Sequence, residues 1–488
     1  MSEKPRIFIL ILCIVLTGSN LTYAQRQVGI PFEKKAAVLL RFAEPYETMR
    51  VSFKERDLST NIYTEVRLSD AVVFENKKGK PADASDFFPG MEVLIDGKKS
   101  RRGFTFKAVR LQTALSDWQV KNLRGLYEKF EDPVATIDGR RVVLAPGATV
   151  QGLGAWKDEP FPNFDYMQLG SFVEIEGSRD ATGLIQARTV KTWPNLLTKE
   201  DKAIKQAIAS GLQVPETLSG GQMTVGGINF RLTRNLDLQA FVTEVGYNLI
   251  PKWTEELADD DPTKIEYRFY VVNDPSFNAS AFPDGTVIVH TGLLHTVENE
   301  AQLAAVLAHE IAHVTHKHGL QRFREQKKVK KAKKGSGLFK KAFTKVTGNN
   351  INTDTIEVEG FSVPTDMVTK LGVGALSNSF SRERESQADR VGLFYMVEAG
   401  YDPREAATMW TLLAERTADP ATTELLDTAV IKEKIEKKFA SIYSSHPEAV
   451  KRARSINIEI AANYSGQDLS QLTTGAETYQ RIRDLAAK

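Results

Sequence analysis

Sixteen residues constrain this chain more than any other stretch. Leu303–His318, reading Leu-Ala-Ala-Val-Leu-Ala-His-Glu-Ile-Ala-His-Val-Thr-His-Lys-His, holds four of the seven histidines among 488 residues. Leu303, Leu307, Ile311 and Val314 recur at helical spacing and form one apolar stripe. Asn299, three residues before Gln302, supplies a capping signal at the start. The stretch is therefore expected to be a buried helix. His309 and His313 are four apart and share a face, which brings two imidazoles within reach of one zinc ion. Glu310, one position along, falls beside such a metal, where its carboxylate can hold a water. The plainer reading, histidines on a solvated helix surface, fits poorly with so few histidines and so regular a stripe.

A catalytic zinc needs a third protein ligand and one open position. The pattern His-Glu-x-x-His-x-x-Gly-x-x-His would take it from the same segment, but the chain has His316 and Gly319 where glycine and histidine belong. A carboxylate on a second helix is the alternative. Ser381-Arg-Glu-Arg-Glu-Ser-Gln-Ala-Asp-Arg-Val-Gly392 offers Glu385 and Asp389, four apart on one face. Glu385 can ligate zinc while Asp389 accepts the spare N–H of a ligand histidine and sets its orientation. Taken alone, these acids read equally as a solvated helix face. His316 is read as structural, because two histidines already fill the helix's share of a metal sphere.

The remainder of the chain sets the context. Lys4 and Arg6, an apolar run from Ile7 to Leu16 and the small-residue end Thr22-Tyr23-Ala24 have the form of a cleavable export signal, residues 1–24. The run is shorter than the ~20 residues that span a bilayer. The one cysteine, Cys13, lies inside it, so the mature chain is expected to have neither disulfides nor thiolate metal sites. A net charge of +2 argues against general nucleic-acid binding. Charge is nonetheless uneven, with eight lysines and no acid between Lys327 and Lys341. This run is expected to be a solvated loop or a contact for an anionic membrane surface.

Two β modules are expected before the helical part, over residues 25–115 and 116–195, with the domain that carries the zinc-binding pattern over 196–488. Pro89-Gly-Met-Glu-Val-Leu-Ile-Asp-Gly97, Gly103 and Lys107–Leu111 are echoed by Leu169-Gly-Ser-Phe-Val-Glu-Ile-Glu-Gly177, Gly183 and Gln186–Val190. Each copy alternates apolar and polar residues between glycines, as half-buried strands joined by turns do. Both are read as small barrel-like modules that act as spacers or bind an unidentified partner. From Thr198 the composition turns helical, with one strand-like block, Tyr267–Val272.

Three segments together, His309–His313, Ser381–Asp389 and the preceding Asn278-Ala-Ser-Ala-Phe-Pro-Asp-Gly-Thr-Val-Ile-Val-His-Thr-Gly-Leu-Leu294, resemble the HtpX and CAAX-protease family of zinc metallopeptidases. The similarity runs over roughly residues 235–455 and is greatest to the soluble periplasmic branch with outer-membrane quality-control proteases. It implies a gluzincin fold, mainly α within α+β, with one zinc on His309, His313 and Glu385, and Glu310 as catalytic base. It also matches Ser444-Ser-His-Pro447 to a later element of the family, giving His446 a role as removable fourth ligand or oxyanion stabiliser. Two positions depart from the family pattern: Gln387 where an acid is usual, and Asp284 where glycine is frequent.

The expectation is thus an exported endopeptidase, periplasmic or extracellular, that cleaves unfolded or misassembled polypeptides. An edge strand at Asn278, Ala279, Ser280 and Ala281 would pair with an extended substrate. Residues Val363–Leu376, too charged at Asp366 and Lys370 to cross a membrane, would form a lid. The competing class is a partner-binding assembly factor with a plugged, latent zinc site; the intact Glu310 favours catalysis.

Overall fold

The computed structural model describes residues 30–43, 48–53, 64–68, 72–84, 87, 91–100, 103–111, 119–179, 183–322, 324–325, 355–358, 361–364, 380–410, 449–464 and 467–486. These fall into two compact units, one within residues 1–119 and 181–183, the other within 120–180 and 184–488.

The first unit is a six-stranded sheet of β1 (Ile30–Ala43), β2 (Thr48–Phe53), β3 (Thr64–Arg67), β4 (Val73–Glu75), β5 (Glu92–Ser100) and β6 (Gly103–Leu111), in the order β3-β2-β1-β5-β6-β4. Ala37, Leu39, Met49, Val51, Val93, Ile95 and Val109 are fully buried, every second residue along their strands, and they form this unit's core. A barrel-like module is expected here, but among the described residues the sheet does not close. Its outer strands, β3 and β4, are four and three residues long and do not pair with each other.

The second unit opens with β7 (Gln119–Glu131), β8 (Val134–Ile137), β9 (Arg140–Gly152), β10 (Phe172–Arg179) and β11 (Ile185–Trp193), which do close into a barrel. Tyr127, Ile137, Val142, Val173, Ile175, Ile185 and Val190 fill its interior. On β11 the buried phase passes from Ile185 and Ala187 to Val190 and Thr192, where the register with β9 shifts between Ala187 and Thr189. One extra residue moves the inward face by one position.

The sequence repeat corresponds to two hairpins. The β5–β6 ladder slips between Asp96 and Gly97, and the β10–β11 ladder slips between Glu176 and Gly177. A Cβ at Gly97 would lie 2.2 Å from the Thr105 carbonyl oxygen, and one at Gly177 would lie 2.2 Å from that of Gln186. Both glycines therefore permit the same close backbone approach at a bulge.

Apart from short helical turns, the remaining elements are α1 (Lys199–Ser210), the β12–β13 hairpin (Gln222–Val225 and Ile228–Arg231), α2 (Leu236–Asn248), β14 (Arg268–Val272), β15 (Ala279–Ala281), β16 (Thr286–His290), α3 (Glu300–Thr315), the β17–β18 hairpin (Thr355–Val358 and Phe361–Pro364), α4 (Arg382–Glu398), α5 (Ala449–Tyr464) and α6 (Ala476–Ala486). β16 is buried along its length between β14, which runs parallel, and the edge strand β15, which runs antiparallel. Asp284 and Gly285 turn the chain between β15 and β16. Asp284 Oδ1 accepts the Thr286 N–H at 3.2 Å, and Gly285 takes φ +99°. An aspartate side chain thus closes the turn locally. Among the described residues no helix is long and apolar enough to cross a membrane.

Candidate metal centre

The helix expected around His309 is α3, and its cap is the expected one: the Asn299 side chain accepts the Gln302 N–H at 2.9 Å. Nearly all of α3 is buried, and α4 packs directly against it. Gly392 of α4 makes that approach possible, because a Cβ there would lie only 3.1 Å from the His309 backbone nitrogen.

The packing brings His309 Nε2 within 3.0 Å of His313 Nε2, and Glu385 oxygens within 3.5 Å of the first and 3.9 Å of the second. All three side chains are buried. The test of fit is geometric. A tetrahedral ion with bonds of about 2.05 Å spaces its ligand atoms about 3.3 Å apart; the two contacts of Glu385 are made by different carboxylate oxygens, and with one donor atom from each residue the three lie within 4.8 Å of one another, close enough to converge on one ion. Two imidazoles and one carboxylate also leave a fourth position, as a catalytic zinc requires. Phe380 helps hold this corner: its N–H donates to Glu385 Oε1 at 3.2 Å, and its ring stacks on His313 with centroids 4.1 Å apart.

Glu310 is buried beside these three residues, and its Oε2 accepts the Ala281 N–H at 2.9 Å. This bond ties β15 to α3. Asn278, Ala279, His309 and Glu310 line one cleft together with Met409 and Trp410, while Ala281 and His313 line a second with Phe282 and Phe380. β15 therefore runs past the centre between two clefts, although Asn278, Ala279 and Ser280 are themselves buried.

Asp389 lies one turn beyond Glu385 on α4, with Oδ1 3.0 Å from His309 Nδ1. Sequence reasoning missed the cation facing it. Arg452 of α5 is buried, pairs with Asp389, lies 3.2 Å from Glu385 and stacks 3.7 Å above the Trp410 ring. Burial and the Arg452 charge depress His309, but its bonds to Asp389 and Glu385 prevail and hold it at about 9. In sequence Arg452 is one of three cations in Lys451-Arg-Ala-Arg454, with nothing to single it out.

His316, read from sequence as structural, turns away from His309, His313 and Glu385. Its Nε2 lies 2.9 Å from Oδ1 of Asp138, at the β8–β9 turn of the barrel. Asp138 and Gly139 form a two-residue hairpin turn in which both have positive φ, 54° and 70°. Asp138 is nevertheless fully buried, and Arg390 of α4 pairs with its carboxylate and donates Nε–H to its carbonyl at 2.9 Å. Burial raises the Asp138 pKa, but the Arg390 and His316 charges outweigh it and keep this carboxyl ionised, well below the usual range. Alongside, Glu128 accepts bonds from Tyr395 and the Gly139 N–H, and burial pushes it up to about 7. His318, mostly shielded from solvent, is pushed down to about 3 by burial.

Residues 1–24, Lys327–Lys341 and His446 lie outside the described residues, as does 365–376 of the expected lid; Val363 and Pro364 belong to β18.

Residues 250–460 match the model of peptidase family M48. The chain is 28% identical over 180 residues to the beta-barrel assembly-enhancing protease of Yersinia pestis, covering 37% of this chain and 33% of the relative. It is 26% identical over 214 residues to the Escherichia coli K12 protein of that name, covering 42% and 40%. With the mitochondrial metalloendopeptidase OMA1 of Arabidopsis thaliana the identity is 30% over 155 residues, covering 32% and 27%. The chain thus matches only about a third to two fifths of the length of these bacterial relatives. The six-stranded sheet and the barrel lie outside the family match.

Proposed function

Since this chain carries a metallopeptidase domain of peptidase family M48, we propose that it is an exported, periplasmic zinc-dependent endopeptidase acting on unfolded or misassembled polypeptides. The observation that carries the reading is the buried cluster of His309, His313 and Glu385, whose donor atoms all lie within 4.8 Å of one another. These three residues would hold the zinc. When bound, zinc would lower the pKa of a coordinated water toward about 7 and polarise the scissile carbonyl.

The chain's own residues do the remainder. Glu310 is the general base, taking the proton from the attacking water and delivering it to the leaving amine. Its bond to the Ala281 N–H supports this role, because it fixes the carboxylate between the metal ligands and the strand. Asp389 accepts the Nδ1–H of His309 and so directs Nε2 toward the metal. Edge-strand pairing at Asn278–Ala281 would recognise an extended backbone rather than a sequence, which suits unfolded chains. The names of the bacterial relatives, assembly-enhancing proteases for β-barrel proteins, support the same substrate class. From the family resemblance, His446 is proposed as a removable fourth ligand or an oxyanion stabiliser, and the lysine run as a contact with an anionic membrane surface.

The test compares zinc content and casein cleavage of the mature chain with Glu310→Gln and Glu385→Ala. The expected result is one zinc and cleavage for the unaltered protein, zinc without cleavage for Glu310→Gln, and loss of zinc for Glu385→Ala. An unaltered chain that binds zinc and stays inert, even with His446→Ala, would move the assignment to a partner-binding factor.

A further inference from the structure

We propose that His318 and Gln387 form a hydrogen-bond relay, anchored on Asp138 of the barrel, that sets the tautomer of His313 and so presents its Nε2 lone pair to the metal. This rests on the reading of His313 as a zinc ligand. Both relay members are positioning residues.

The direction of every bond follows from the chemistry of its partners. Asp138 is an ionised, acceptor-only carboxylate, and its Oδ1 lies 2.9 Å from Gln387 Nε2. A carboxylate can face only the amide nitrogen of Gln387, so the amide oxygen must point the other way. That oxygen lies 3.0 Å from His318 Nε2. The His318 Nε2 must therefore carry a proton and donate. In the neutral ring the other nitrogen, Nδ1, is then an acceptor. It sits 2.7 Å from His313 Nδ1, which consequently donates. His313 Nε2 keeps its lone pair and faces His309 and Glu385.

Two features bear on how the relay works in this chain. Its anchor lies in the barrel, outside the matched family region. Its central amide is Gln387, and a carboxylate at that position could not donate to Asp138 while ionised. His313 is thereby oriented by a residue 175 positions earlier, in another element of the same compact unit. The ligand histidines are held from two sides: Asp389 acts on His309, and the relay acts on His313.

The experiment uses the full mature chain, with zinc itself as the probe. Zinc affinity is measured by chelator competition, and the His313 tautomer by long-range nitrogen–proton correlations in histidine-labelled protein. Gln387→Met removes the amide at similar volume; His318→Phe removes the ring acceptor independently. Each is expected to weaken zinc binding by about 10- to 100-fold, the range for loss of a hydrogen-bond partner of a ligand. The double variant is expected to lose no more than the weaker single, since both interrupt one path. In Gln387→Met, His313 is expected to change from the Nδ1–H form to a mixture with Nε2–H, which a purely structural residue would not produce. If both singles bind zinc as tightly as the unaltered chain and His313 keeps its Nδ1–H form, the relay is refuted and the zinc assignment stands. If His313→Ala leaves zinc binding intact, the metal centre itself is misassigned and the relay falls with it.

Discussion

Asp138→Asn isolates the contribution of one buried charge to the joint between barrel and peptidase. Asparagine is isosteric and suits the left-handed conformation at φ 54°, so the Asp138-Gly139 turn itself should survive. What disappears is the carboxylate facing Arg390, which is only 8% exposed. Removing one partner of a buried pair costs about 3–5 kcal/mol. Glu459, 3.9 Å from Arg390, offsets part of this. Against that, the new Nδ2 must face either Arg390 or the donors from His316 and Gln387, leaving an unsatisfied donor worth about 1–3 kcal/mol. A net loss of about 4 kcal/mol is expected. For some 350 residues unfolding together, with about 2.1 cal/mol/K of unfolding entropy each, the melting temperature should fall by about 5 °C. Calorimetry gives the shift. Fluorescence of Trp156 and Trp193 in a background where Trp118, Trp253 and Trp410 are replaced by phenylalanine, read beside far-ultraviolet dichroism of the helices, shows whether both parts move together. A change below about 1 kcal/mol, or a barrel signal that shifts while the helical signal does not, refutes the idea that this carboxylate joins the two.

Glu128 should make stability depend on pH in the opposite sense from an ordinary carboxylate. With a folded pKa of about 7, above its unfolded value, the native state keeps its proton while the unfolded chain loses it, so stability falls as pH rises from about 4.5 to 7. Glu128→Gln should flatten that slope by up to about 3 kcal/mol, read from denaturant midpoints at pH 5 and 8; parallel profiles would refute it. Gly392→Val should force α3 and α4 apart at His309, lowering zinc affinity at least tenfold in chelator competition; unchanged affinity would mean that the close approach is not needed. Zinc removal should also destabilise the chain, by about 4 kcal/mol for an ion held at a thousand times its Kd, and a melting temperature insensitive to chelator would count against a bound ion.

The metal centre was legible to different depths. His309, Glu310 and His313 could be read directly, because the chemistry and the helical period lie within five residues. Glu385 and Asp389 were visible as candidates, but Glu383 is two residues away and equally acidic; burial separates them, with Glu383 exposed and Glu385 enclosed. Arg452 carries no local signature. The repeat located both hairpins and their glycines, yet it did not say that one copy joins an open sheet and the other a closed barrel. That difference depends on flanking strands with no counterpart in the repeat. The Asp-Gly pair at 138–139 is a recognisable hairpin turn, and turns ordinarily lie on the surface. Its burial against α3 and α4 could not be expected from the turn itself.

By itself, then, the amino-acid order determined what short-range physics controls: the buried stripe of α3, its Asn299 cap, the paired histidines and the repeated hairpins, whose glycines were expected at turns but at 97 and 177 lie at bulges within the ladders. Each arises from periodicity, backbone conformational freedom or side-chain reach over a few residues. The tertiary structure alone decided that Asp138 meets His316 and Arg390, 178 and 252 residues later, and that Arg452 faces Asp389. Such pairs are selected by desolvation: a charge is held in the interior only where packing delivers its partner, and that depends on how whole elements dock.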